Sequence, residues 1–596
     1  MHDPRAASFR MRRSALIGCA VGLAAVAAAP MALDTYMINI LIRALFLAAV
    51  AMTVDILWGY VGILTFGQSA FFGIGAYACG LIFTHYGFGP DWALGALAVA
   101  LATAALVALA TGWLAFFHGA SPLYGSVITL ALPIVLTQAI FSGGRFTGSS
   151  SGLSGFPTYY WDLEVWFWIA GVFLVLTTTA GWLLVRSDFG RVLVAIRENE
   201  ERCAYLGVPV SRIKILLMAA SAMVAAAAGF GYAAFTNVVA PELGGFLLGT
   251  EFLIWTALGG RATLLGPVFA TIGIDAISSW LSGAAPFLWK LMTGVAFVVV
   301  IVLLPRGLAP LVGAALRLVL PRAAAEPPAR VTPAPSGGLS AARGGEAPPL
   351  RSAGLSRRYG SLQVLRDLTM QGAGSELLGI IGPNGAGKTT LMRCISDGGE
   401  RTAGTVEING VDIGRGAPQR VVALGVGRSF QNTSLFDTLT VADCLMLARY
   451  RIDGARLFSR SGVVALPEPA LDILRATGLD QRLGEETRLL SHGMKRGLEL
   501  AMVLATEPGV LLLDEPTAGL TRAERMAIGK VLTRLTREFG LCIVLIEHDL
   551  DFVREVSDRV VVLHQGAMLM EGTVDEVVAS ELVRAVYAGH HAEAAA

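Results

Sequence analysis

Three short runs in the C-terminal half carry residues whose types and spacing suit chemistry. The first is Gly382-Pro-Asn384-Gly385-Ala-Gly387-Lys388-Thr389-Thr390, which follows the apolar run Leu377–Ile381 and precedes a helical pattern. GxxxxGK[ST] between a strand and a helix describes a phosphate cradle. The glycines let backbone N–H groups turn inward around phosphate oxygens, and the helix N-terminus adds positive partial charge. Lys388 can reach β- and γ-phosphates, and the Thr389 hydroxyl can ligate Mg²⁺. The second run, Val510-Leu-Leu-Leu-Asp514-Glu515, ends an apolar stretch in two carboxylates. Asp514 suits the Mg²⁺ shell, and Glu515 can act as general base on an attacking water. The third, Cys542–Ile546, ends in Glu547-His548-Asp549, and His548 could contact a γ-phosphate. Two acids or one histidine would mean little alone. Downstream of a phosphate loop they predict hydrolysis of a nucleoside triphosphate, with ATP and Mg²⁺ as cofactors.

The elements that must position these groups are buried strands, since each run is too apolar and too short for a surface helix. The predicted C-terminal unit is therefore an α/β P-loop domain. The chain has 596 residues, too many for one core. Apolar residues make up 54% and the mean hydropathy is +0.62, and the excess lies before residue 304. A net charge of +1 gives no sign of a nucleic-acid partner. The six cysteines form no CxxC pair, and three lie in the α/β half, which predicts free thiols.

A bilayer span needs about 20 mostly apolar residues. Ten stretches qualify: 14–33, 37–57, 61–84, 92–117, 123–141, 165–185, 215–236, 246–260, 264–282 and 287–304, the eighth and ninth being short. The first also resembles a signal peptide, with an arginine-rich flank and small residues around Ala27–Ala29. Arg5, Arg10, Arg12 and Arg13, and later Arg186, Arg191, Arg197, Arg202, Arg212 and Lys214, mark cytoplasmic flanks. An even number of spans keeps the N-terminus and the ATP-hydrolysing half on one side. Thr147–Gly155 should be an external loop. Arg43, Asp55, Gln68, Glu251 and Asp275 fall in or near spans. Ionisable groups at depth are functional candidates, but Asp55, Glu251 and Asp275 read better as residues at the headgroups. The small residues of Phe66–Gly80 predict close helix packing or a break beside a path. Nine prolines between Pro305 and Pro349 read as a tether. The expected domains are a membrane unit over 1–304, a linker over 305–349 and an ATPase over 350–596.

Across about residues 350–590 the sequence resembles the nucleotide-binding domain of ABC transporters. The resemblance rests on the three runs above, on Gln431 within Ser429-Phe-Gln-Asn432, and on Leu490-Ser-His-Gly-Met494, where the family has LSGGQ. It implies that Tyr359 stacks on adenine and that Gln431 touches Mg²⁺ and the membrane domain. It also implies that Ser491 and Gly493 contact the γ-phosphate of ATP held by an opposing ATPase. His492 and Met494 replace the family's Gly and Gln, and Thr521 stands where its D-loop has Asp.

The membrane half resembles the permease of branched-chain amino acid ABC importers. The matching stretches are Gly59–Gly62, Phe66–Tyr77, Phe189–Glu200 and Ala257–Pro267. The resemblance implies a cytoplasmic-membrane importer of branched-chain or related amino acids. Its partners would be an extracytoplasmic binding protein, a second permease and a second ATPase. It further implies that Phe189–Leu206 docks into the ATPase, and the mixed charges there favour a protein partner over a headgroup surface. Import of urea, amides or small carboxylates, an exporter half-transporter, and a membrane-regulating ATPase are the rival readings. Exporters usually show six spans with long cytoplasmic extensions, unlike the many spans and short loops here.

Overall fold

The computed structural model describes residues 5–117, 122–284, 289–304, 307–311, 329–334, 348–519 and 521–585. Leu520, most of the predicted linker and the last eleven residues lie outside the described residues.

Helices occupy all ten apolar stretches. They are α1 (Arg5–Ala28), α2 (Thr35–Asp55), α3 (Gln68–His85), α4 (Pro90–Phe116), α5 (Pro122–Ser142) and α6 (Leu163–Arg186), then α9 (Val210–Thr236), α10 (Phe246–Gly259), α11 (Leu265–Ala284) and α12 (Trp289–Leu303). Between α6 and α9 lie two short helices, α7 (Asp188–Glu198) and α8 (Glu200–Tyr205). Among the described residues, seven helices are long and apolar enough to cross a membrane, and α10 is a shorter apolar helix.

Small residues bring these helices together. A Cβ at Gly75 of α3 would run into the Ala226 carbonyl of α9, and one at Gly229 of α9 into the Phe72 carbonyl. The run Phe66–Gly80 therefore serves close packing. On α4, Ala93, Ala96, Ala100, Ala104 and Ala108 form a buried stripe at helical spacing, while Leu94, Val99, Leu106 and Trp113 are exposed. The stripe faces α3 and α9, against which α4 packs, and leaves the larger side chains for lipid. α1 packs along α6, with Gly22 against Val175.

Of the five in-span polar groups named above, Asp55 and Gln68 are wholly buried. The Asp55 carboxylate accepts the Ala262 N–H at 2.6 Å and the Leu264 N–H at 2.8 Å, so it holds the α10–α11 loop. Gln68 opens α3. A π-helical turn, Ile56–Val61, follows Asp55 and ends α2 at the left-handed Gly62. The predicted external loop ends in strand β1 (Leu153–Ser154), paired antiparallel with β2 (Val238–Val239). Because β2 follows Thr236, this pair sits at the opposite end of α9 from Val210.

The C-terminal half has two sheets. The antiparallel one comprises β4 (Leu350–Tyr359), β5 (Leu362–Gly372), β7 (Ala403–Ile408) and β8 (Val411–Asp412), in the order β5-β4-β7-β8. The other has six strands in the order β14-β13-β6-β12-β11-β9. These are β6 (Leu377–Ile381), β9 (Val426–Arg428), β11 (Val510–Asp514), β12 (Cys542–Ile546), β13 (Arg559–His564) and β14 (Ala567–Gly572). β6, β11 and β12 are buried at every residue, which explains their unbroken apolar runs. Four helices matter below: α13 (Lys388–Ser396), α14 (Val441–Ala448), α15 (His492–Ala505) and α16 (Arg522–Arg537).

The predicted tether is partly structured. Leu308 N–H bonds the Leu258 carbonyl of the membrane half at 2.8 Å. Farther on, β3 (Arg330–Pro333) pairs parallel with β10 (Val463–Leu466) of the ATPase half. Proline-rich composition hid this strand, whose Val331 and Thr332 are its only β-branched residues.

Candidate active site

Local sequence shapes the phosphate loop. Gly385 and Gly387 have φ of 81° and 98°, conformations that L side chains rarely adopt, and Gly387 caps the N-terminus of α13. Asn384 and Gly385 are exposed at the tip, while Thr389 and Thr390 are half-buried on the first turn of α13. Gly382 packs under the loop against the Leu563 carbonyl. Lys388 folds back, donating from Nζ to the Gly382 carbonyl at 2.7 Å and the Pro383 carbonyl at 3.1 Å. Burial holds its ammonium below its usual pKa range, and Glu515 and Asp514 pull the other way. The loop's own carbonyls thus hold the cation.

β11 and β12 are parallel and in register, Asp514 opposite Ile546. The residues that follow each strand therefore emerge side by side. Glu515 takes a left-handed φ of 49° and turns its carboxylate toward its neighbours. Glu515 Oε1 accepts Gln431 Nε2 at 3.0 Å and lies 2.8 Å from His548 Nε2. The three residues expected to act in hydrolysis thus meet at one carboxylate oxygen. Glu547, on the β12 side, accepts the Thr517 N–H at 3.0 Å and its hydroxyl at 2.6 Å, which pins the loop after Glu515.

Asp514, Thr389 and Gln431 line one cavity of about 460 Å³. Both Asp514 carboxylate oxygens are buried without a hydrogen-bond partner among the described residues. Burial pushes the Asp514 carboxyl above the usual carboxylate range, with the nearby Thr389 hydroxyl opposing most, then Arg428 and Lys388. A buried acid with open oxygens, beside a hydroxyl and an amide, fits Mg²⁺, which binds through few protein oxygens together with nucleotide phosphates.

Tyr359 stands 42% exposed at the end of β4, with the Arg357 guanidinium 4.2 Å from its ring centre and its hydroxyl 3.3 Å from Glu400. Ser491 caps α15, its hydroxyl accepting the Met494 N–H at 3.4 Å, and Gly493 follows on the first turn. Neither lines the cavity that holds Asp514. Met494 packs half-buried against the core, and His492 lies against Gly519. Thr521 caps α16 in a reciprocal pair with Glu524, bonding at 2.8 Å and 3.4 Å through the two backbone N–H groups. An Asp would cap this helix as well, so nothing in the structure explains Thr in its place.

The docking segment fills a groove beside this site. Asp188 accepts the Ser461 N–H at 2.9 Å, Asn199 Nδ2 donates to Ser434 Oγ at 2.6 Å, and Glu198 accepts the Thr438 N–H at 3.2 Å. Arg191 pairs with Asp443 of α14. Arg202 is wholly buried, 3.5 Å from the Glu499 carboxylate of α15, and donates to the Arg428 carbonyl at 3.1 Å. Glu499 also accepts the Phe430 N–H at 3.0 Å and the Arg496 guanidinium at 3.1 Å, while Arg496 donates to the Phe430 and Gln431 carbonyls. One bonded chain thus runs from Arg202 through Glu499 to Gln431 and Glu515. Midway along the segment Arg197 donates to the Gly59 carbonyl, in the turn that ends α2. Sequence reasoning missed Glu499 and Arg496. Their only trace was a charged pair on an otherwise apolar helix face.

Residues 36–303 match the family described as the permease component of the branched-chain amino acid transport system, and residues 365–518 match the ABC transporter family. The ATPase half is 33% identical over 240 residues to the high-affinity branched-chain amino acid transport ATP-binding protein BraF of Pseudomonas aeruginosa, covering 39% of this chain and 93% of that one. This chain belongs to the branched-chain amino acid transport family of ABC transporters. LivG of Escherichia coli K12, a high-affinity branched-chain amino acid transport ATP-binding protein, is 34% identical over 235 residues, covering 38% of this transporter and 91% of LivG. Among solved structures, the ADP conformation of an ATP-binding cassette of an ABC transporter matches at 24% identity and a TM-score of 0.36, covering 41% of this chain and 99% of that one. The transporter is thus a helical permease fused to an ABC ATPase, a membrane protein that hydrolyses ATP in the service of transport.

Proposed function

We propose that the chain imports branched-chain amino acids across the cytoplasmic membrane, driven by MgATP hydrolysis at Glu515. The observation that carries this reading is the burial of Arg202, a residue of the permease half, against the helix that leads to Gln431 and Glu515. The substrate follows from agreement between two separate halves. The permease match and the ATPase relatives BraF and LivG both carry branched-chain amino acid transport in their descriptions. Neither points to urea, amides or carboxylates.

In this reading the triphosphate lies against Gly382, Asn384, Gly385, Gly387, Lys388, Thr389 and Thr390, with adenine on Tyr359. Lys388 leaves the Gly382 and Pro383 carbonyls for the phosphates. Asp514, Thr389 and Gln431 hold Mg²⁺, which when bound neutralises charge on the phosphate oxygens. Glu515 takes the proton of the attacking water, and Gln431 and His548 fix its carboxylate. A composite site pairs one chain's phosphate loop with another's Ser491 and Gly493. Each chain therefore works with a second ATPase and a second permease, and with an extracytoplasmic binding protein that delivers substrate. Met494 and Thr521 favour an unlike ATPase partner over a second copy, because unequal sites tolerate departures on one side.

The test is uptake by cells that express the chain with its partner subunits and lack their own branched-chain uptake. Saturable uptake of leucine, isoleucine and valine is expected. Uptake confined to urea or a small carboxylate would overturn the substrate.

A further inference from the structure

A polar cavity of about 330 Å³ lies between α2 and α11, far from the ATP site. Tyr36, Asn39 and Arg43 face it from α2, and Asp275, Ser279 and Ser282 from α11. Each set recurs at three- and four-residue steps, so each is one helix face. The cavity has the size of a small-ligand site. Its depth follows from the helix. The Gly59 end of α2 receives Arg197 and so faces the ATPase. At 1.5 Å per residue, Arg43 stands roughly 24 Å from that end, within the hydrocarbon thickness.

Charges at such depth are costly and persist where they act. A structural ion pair would satisfy both partners. Here Arg43 Nε and Asp275 Oδ2 are both buried without a hydrogen-bond partner among the described residues, while the Tyr232 hydroxyl of α9 meets the Arg43 guanidinium from the side. A cationic and an anionic side chain thus line one cavity from two helices, with no ion pair between them. The ligand that answers both carries a carboxylate for Arg43 and an ammonium for Asp275. Urea answers neither charge fully, and a simple carboxylate answers one. We infer that this cavity binds the α-carboxylate and α-ammonium of the transported amino acid during its passage, with Arg43 and Asp275 as its two anchors. The inference rests on the proposed amino-acid import and adds the site at which the zwitterion is read.

The experiment uses proteoliposomes holding the complete transporter, with leucine uptake and ATP hydrolysis measured for Arg43→Gln, Asp275→Asn and the double variant. Each single variant should lose at least tenfold in uptake while basal hydrolysis stays within twofold, and the double should be no better than the worse single. Singles within twofold of wild type, or a double that regains wild-type uptake, would overturn the site, the latter by revealing a structural pair. A second measurement does not depend on variants folding. Leucine binding to the purified full-length chain, without binding protein, should be competed at least tenfold less well by isopentylamine and by 4-methyl-2-oxopentanoate than by leucine. Equal competition, or no leucine binding, would overturn the site. Failure of the wild-type complex to take up leucine at all would instead refute the import reading.

Discussion

The Arg202 guanidinium of the membrane half lies 3.5 Å from the Glu499 carboxylate of the ATPase, and their side chains are 0% and 1% exposed. Burial pulls the Arg202 guanidinium below its usual pKa range, with Glu499 acting in the other direction. Phe430 stacks under the same guanidinium, 5.3 Å from its ring centre, one residue before Gln431. Any shift of α8 relative to α15 therefore pulls on the backbone that carries Gln431.

Removing Arg202 takes away one of the two cations buried against Glu499, at a cost of up to about 3–5 kcal/mol. Arg202→Met should therefore uncouple the halves, abolishing stimulation of hydrolysis by substrate-loaded binding protein. Arg202→Lys, which keeps a cation beside Glu499, should retain part of it. Wild-type stimulation in Arg202→Met would show that the pair carries no coupling.

Glu515→Gln keeps the shape of the side chain and removes the base. Hydrolysis in the assembled complex should fall at least about 10²-fold with ATP binding retained. Lys388→Ala should weaken nucleotide binding itself, read by equilibrium binding of a fluorescent ATP analogue. Wild-type turnover in Glu515→Gln would remove Glu515 from the mechanism.

Asp514 has two open, buried oxygens, and Mg²⁺ is the group that suits them. Asp514→Asn should raise the Mg²⁺ concentration needed for half-maximal hydrolysis by tenfold or more, while chelation stops the wild type completely. An unchanged Mg²⁺ titration in Asp514→Asn would place the metal elsewhere.

The nucleotide site was largely legible in the sequence because its parts are local. A strand, a glycine turn and a helix place Lys388 and Thr389 without outside help, and Asp514 and Glu515 end a strand of their own. The meeting of Glu515, Gln431 and His548 was less local, since it needs β11 beside β12 and the loop after β9 folded over both. The Arg202–Glu499 pair was not legible, because its partners are joined only by domain docking. The strand at Arg330–Pro333 was hidden by prolines that flank it, and the task of Asp55 was hidden because its partners are backbone N–H groups of a distant loop.

Sidedness follows from the same docking. Glu201, exposed in the segment bound to the ATPase, should lie in the cytoplasm, and Ser150, exposed near β1, outside. In a background without native cysteines, an impermeant thiol reagent on intact cells should label Ser150→Cys and spare Glu201→Cys. The reverse pattern would invert the permease and remove the docking role.

The most direct test of ATP-driven import measures leucine accumulation in proteoliposomes with ATP on the ATPase side and loaded binding protein on the other. Wild type should accumulate leucine above the outside concentration only when MgATP is present, and Glu515→Gln should not. Equal accumulation by both, or accumulation without ATP, would contradict the account.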